Sequence, residues 1–180
     1  MGDHAEVTAT GRAQLKVLRH LHEIHARERA LLPEIQAQIA AAPPGGYREE
    51  LTAHLDETRT HIKALANRLS ALGYRNGSLL SGVMSLVHAG IAQANARRLT
   101  PLDLLRPRDP GDRVLQRARH AAAAHAANIA DYRALDRIAE SAGDPTTQAL
   151  AARLGAQEQE RFDAIIAEIP GLTDALAVTP

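Results

Sequence analysis

Glu28 occupies a place where its helix would ordinarily carry a hydrocarbon side chain. Between Leu18 and Ile35, the apolar residues Leu21, Ile24, Leu31, Leu32 and Ile35 recur at three- and four-residue steps. At ~100° per residue, Glu28 falls near the centre of the face they make. An ionised carboxylate buried alone costs many kcal/mol, so such a group is normally paired, protonated or bound to a metal. The anomaly recurs along the chain. His125 lies at the centre of the stripe Val114, Ala118, Ala121, Ile129, Tyr132 and Leu135, with Asn128 on its flank. Glu158 falls among Leu150, Leu154, Ile165 and Ile169. Beside Leu51, Leu55, Ile62, Leu65, Leu69 and Leu72, His54 and His61 lie along the edge and Glu57 further round.

Carboxylates and imidazoles gathered in one layer of a helical bundle are the ligand chemistry of non-haem iron or manganese. His25-x-x-Glu28 and His54-x-x-Glu57 place both group types on one helix face. The Glu-x-x-His order usual in di-iron bundles occurs nowhere in the sequence. Each residue also has a plainer role. Glu28 can be a buried acid paired with an arginine or histidine, and His125 a hydrogen-bonded core histidine. Glu57 and His61 can be solvated helix residues, and Asn128 an interior amide. A shared layer would require His125 and Glu158 to face each other, or to face Glu28.

The elements that must position these groups read as helices. A first helix is expected from about Arg12 to Ala42, closed by Pro43-Pro44-Gly45-Gly46 and bent or divided at Pro33. A second runs from near Tyr47 to Leu72, with Gly73 as its C-cap. A crossover helix follows over residues 78–98. A third long helix runs from Asp112 to about Ala142, and a last one ends near Pro170-Gly171. Residues 1–11 and 171–180 read as tails around one domain over 12–170. The plan is all-α, a four-helix bundle with one long helical crossover.

Composition agrees and excludes much. Aromatic residues make up 2% of the 180 residues, which disfavours a β sandwich or barrel. Twenty-one basic residues balance twenty-one acidic ones, so nucleic acid is not an expected partner. The chain has no cysteine, which removes disulfides, thiolate zinc sites, iron–sulfur clusters and thiol nucleophiles. Residues 1–7 lack a basic segment leading into an apolar one, and no run approaches the ~18 apolar residues of a membrane span. A cytoplasmic protein with no membrane partner is expected. No glycine-rich phosphate loop and no Gly-x-Ser-x-Gly occurs, so enzymes of those kinds are not expected.

The hairpin segments Leu21-His22-Glu23-Ile24-His25-Ala26-Arg27-Glu28-Arg29-Ala30-Leu31-Leu32 and His54-Leu55-Asp56-Glu57-Thr58-Arg59-Thr60-His61, followed by Leu72-Gly73, resemble the bacterial YciE/YciF-type ferritin-like proteins. Ser81 to Leu86 is similar to that family's methionine-centred crossover helix, and Ile129-Ala130-Asp131-Tyr132 to its third-helix segment. The resemblance implies a ferritin-like bundle and a link to bacterial stress responses. The sequence departs from the family pattern in the second half. His125-Ala126-Ala127-Asn128 stands where Glu-His-x-Glu is usual, and Gln157-Glu158-Gln159-Glu160 replaces adjacent glutamates.

The expected site is therefore drawn from Glu28, His54, Glu57, His61, His125 and Glu158, with zero or one iron or manganese per chain. Two ions would need more anionic ligands than these supply. If the bound metal reacts, the expected chemistry is oxidation or peroxide handling. The alternative is a metal-free structural or interaction module. The alanine-rich faces of the third helix suit close helix packing, extending to a homodimer.

Overall fold

Sustained three- and four-residue apolar spacing, few β-branched residues and strong punctuation by glycine and proline produce long helices here. The computed structural model describes residues 3–41, 44, 46–74 and 110–177. Among these, the elements are α1 (Asp3–Ala41), α2 (Gly46–Ala71), α3 (Pro110–Ser141) and α4 (Pro145–Ala177). The crossover helix expected over residues 78–98 lies outside the described residues.

Helix α1 begins at Asp3 and α4 ends at Ala177, so helix enters both segments expected as tails. Gly11 costs about 1 kcal/mol relative to alanine but does not terminate a helix. Pro33 does not divide α1, nor does Pro170 end α4. Each proline removes the hydrogen bond to the carbonyl four residues earlier, on Arg29 and Ile166 respectively. Both of those residues are exposed, where water can take the freed carbonyl.

The two hairpins close in the same way. Gly73 (φ 80°) and Gly143 (φ 65°) adopt the left-handed conformation that ends a helix. Tyr74 N–H returns to the Leu69 carbonyl at 3.0 Å, and Asp144 N–H to that of Ala139 at 2.9 Å. Asp144 then caps α4: its Oδ1 accepts from the Thr147 backbone N–H at 2.9 Å and its Oδ2 from the Thr147 hydroxyl. Arg68, in the last turn of α2, donates to the same Asp144 at 2.6 Å and to Thr147 Oγ1 at 2.7 Å. The cap of one hairpin is thereby tied to the end of the other.

The molecule is an all-α four-helix bundle. Helix α1 packs on α2, α3 on α4, and α1 also on α3. One apolar cluster draws on all of them: Val17, Leu21 and Ile24, Leu65 and Leu69, Tyr132 and Leu135, Ala151 and Leu154. It fills the half of the bundle nearer the Gly73 and Gly143 turns. Gly155 lets α3 and α4 approach closely, since a Cβ there would stand 3.2 Å from that of Tyr132. No described helix is long and apolar enough to cross a membrane.

Candidate metal centre

Just beyond that cluster the interior turns polar. Glu28, Thr58, His61, His125, Asn128 and Glu158 are all buried, drawn from all four helices. Glu28 is 1% exposed, in keeping with its place at the centre of its stripe; His61 is 2% exposed, deeper than the stripe edge where the spacing puts it.

His61 is the centre of the arrangement. Its Nδ1 stands 3.6 Å from Glu28 Oε1 and 3.5 Å from Glu158 Oε1. Neither approach makes a hydrogen bond, so this buried nitrogen has no bonding partner. The other ring nitrogen, Nε2, donates to Gln157 Oε1 at 3.2 Å. Each carboxylate is fixed by a further partner. The Tyr132 hydroxyl donates to Glu28 Oε1 at 2.8 Å. Since a carboxylate only accepts, His125 donates through Nδ1 to Glu158 Oε2 at 2.7 Å, and Asn128 adds a longer bond to the same oxygen. Glu158 thus keeps Oε1 toward His61.

The electrostatics follow from this packing. Burial disfavours the imidazolium of His61, but the negative charges of Glu158 and Glu28 facing its ring outweigh it and raise the pKa to about 9. Burial likewise opposes ionisation of Glu158; His125 and His61 overcome it and hold the carboxyl at about 2. Tyr132 is pushed well above its usual value, first by burial and then by the Glu28 charge. His54, its ring tilted by 36° against that of His125 with centroids 5.0 Å apart, is lowered to about 4 by burial and by that neighbour.

Glu28, His61 and Glu158 each offer one ligand atom, and these atoms lie within 4.8 Å of one another. Ligands about 2.1 Å from an ion stand up to about 4.2 Å apart, so a shift of about half an ångström would suit coordination. Two carboxylates match one divalent charge. An unpaired Nδ1 whose opposite N–H is held by an acceptor is the usual condition of a ligating imidazole. The donor set fits one divalent cation.

The other expected residues lie around this group. His125 orients Glu158, and the His54 ring lies against that of His125. Glu57 is engaged elsewhere, accepting from Arg161 Nε at 2.7 Å. Four contributors were not singled out in the sequence. Tyr132 reads as a core aromatic, although a buried phenol needs a hydrogen-bond partner. Gln157 adjoins Glu158 and carries no charge to mark it. Thr58, three residues before His61, is 2% exposed. Arg161 stands three residues after Glu158, the spacing at which a Glu-x-x-His motif would place its imidazole.

A family model described as a domain of unknown function, DUF892, matches residues 15–177. No curated protein matches the chain in sequence. Among solved structures, the crystal structure of a protein from Xanthomonas campestris pv. campestris is similar, with a TM-score of 0.65. It is 18% identical, and the match covers 91% of this chain and 94% of that one. At that identity the likeness speaks for the fold alone.

Proposed function

The chain belongs to the DUF892 family, and from that premise and the geometry of its buried layer we propose a ferritin-like bundle that holds one divalent ion, iron or manganese, on Glu28, His61 and Glu158. One observation carries this reading: a buried His61 Nδ1 without a bonding partner faces two ionisable carboxylates at 3.5 and 3.6 Å. Further support comes from the resemblance of the first hairpin to YciE/YciF-type proteins. Gln157 orients the imidazole, Tyr132 holds Glu28, and His125 with Asn128 fixes Glu158. When bound, iron or manganese would supply redox reactivity toward oxygen or peroxide, in keeping with a stress-linked role. The surrounding residues exclude bulk water and keep the ligating atoms turned inward.

A second reading rests on the same nitrogen. Protonated, with a pKa near 9, His61 can bridge both carboxylates itself and leave a metal-free structural module. Anaerobic titration of chelator-treated protein with ferrous or manganous ion separates the two. The expected result is one ion per chain, lost in Glu158→Gln. No uptake would favour the metal-free bundle; two tightly held ions would replace the single-ion site with a complete binuclear one.

A further inference from the structure

Glu57 is the third carboxylate near this layer, and it does not join the group. Its Oε2 accepts from Arg161 Nε at 2.7 Å, while Arg161 Nη1 reaches Glu50 at 3.2 Å. Arg161 is about one-third exposed and Glu57 less, so the pair sits at the solvent edge of the layer, between α2 and α4. On α4 it follows Glu158 by three residues, which puts both on one helix face. On α2, Glu57 and His54 are likewise three residues apart, and the His54 ring lies against the His125 that holds Glu158.

Taking the single-ion site as given, we propose that Arg161 limits this chain to one metal ion by occupying, with its own fixed positive charge, the place of a second cation. The charges support it. Glu28 and Glu158 together neutralise one divalent ion. Glu57 is the remaining carboxylate of the layer, and the guanidinium already neutralises it through a bond of hydrogen-bonding length. A second ion entering beside His54 and Glu57 would meet a permanent cation and find no free anionic ligand. Arginine stays protonated at every working pH, so the block cannot be relieved by titration.

The test compares metal uptake by wild type, Arg161→Lys, Arg161→His and the double variant Arg161→His/Glu57→Gln. Each is titrated anaerobically with manganous ion, desalted and analysed for metal per chain. The expectation is one ion for wild type and for Arg161→Lys, which keeps the charge. Arg161→His removes the cation, frees Glu57 and adds an imidazole three residues after Glu158, so uptake should rise towards two. The double variant should return to one. Should Arg161→His lose its helical circular dichroism, Arg161→Gln replaces it, with uptake still expected above one. A folded variant without the charge that still takes one ion would overturn the role of Arg161 and leave the single-ion site standing. Two ions in wild type would overturn it as well. No ion in wild type or in the variants would overturn both the role and the site.

Discussion

At the scale of single residues, Glu28 is where an expectation and a contact meet most directly. Its carboxylate accepts from Tyr132 and faces His61, both buried, so its removal strands two polar groups. Glu28→Ala should cost about 3 kcal/mol. Glu28→Gln keeps the size and a carbonyl acceptor for Tyr132. It should cost roughly 1 kcal/mol while abolishing metal uptake, as urea unfolding and metal analysis of the two variants would show. A Glu28→Gln protein that still took up metal would remove Glu28 from the site. That Glu28, His125 and Glu158 are interior could be read from the sequence, because a charged or ring-nitrogen group at the centre of an apolar stripe is visible in the spacing. His61 was only at an edge in that reading. Its burial depends on α4 lying against α2, which no pattern within α2 records. The diversion of Glu57 was illegible for the same reason: its partner is more than a hundred residues away.

Among the elements, the turns between consecutive helices were the most legible feature. Pro43-Pro44-Gly45-Gly46, Leu72-Gly73 and Gly143-Asp144-Pro145 all mark real boundaries, since glycine at positive φ and proline at a first turn act locally. The extensions into 3–11 and 171–177 were not legible, because one glycine or proline on an exposed face only weakens a helix. What the sequence did not disclose is that Asp144 caps α4 and receives Arg68 from α2 at once. Asp144→Ala removes the cap and leaves a mostly buried guanidinium with fewer partners. It should lower stability by about 2 kcal/mol, seen as a lower urea midpoint at unchanged slope. Asp144→Asn retains the cap and should lose less than half as much.

For the molecule as a whole, the perturbed groups set how stability varies with pH in the metal-free state. The folded pKa of His61 is raised, so its contribution is full below about 6.5 and is lost as pH rises through 9. His54 titrates near 4 when folded. Between 6.5 and 4 the unfolded chain takes a proton that the native one refuses, and stability falls with pH. Glu158 extends that loss as pH falls from its usual range through 2. The metal-free protein should therefore be most stable near pH 6.5, with about 2 kcal/mol lost on the alkaline side by pH 9. Urea midpoints of chelator-treated protein across pH 4–9 would trace the curve, and His61→Gln should flatten its alkaline limb. A flat profile from 6.5 to 9 in wild type would mean that His61 is not held as an imidazolium.

The buried polar layer also fixes how the helices line up lengthwise. Faces rich in leucine and alanine pack almost equally well after a slide of one turn, about 5.4 Å, because such a slide sets one aliphatic side chain where another had been. Glu28, His61, Tyr132, His125 and Glu158 remove that degeneracy. Each finds its partner only when its helix arrives at the common height. Displacing any one helix by a turn would bury an ionised or hydrogen-bonding group against hydrocarbon. The same residues that could hold an ion thus act as a vernier, selecting one longitudinal alignment from several that the aliphatic packing alone would tolerate.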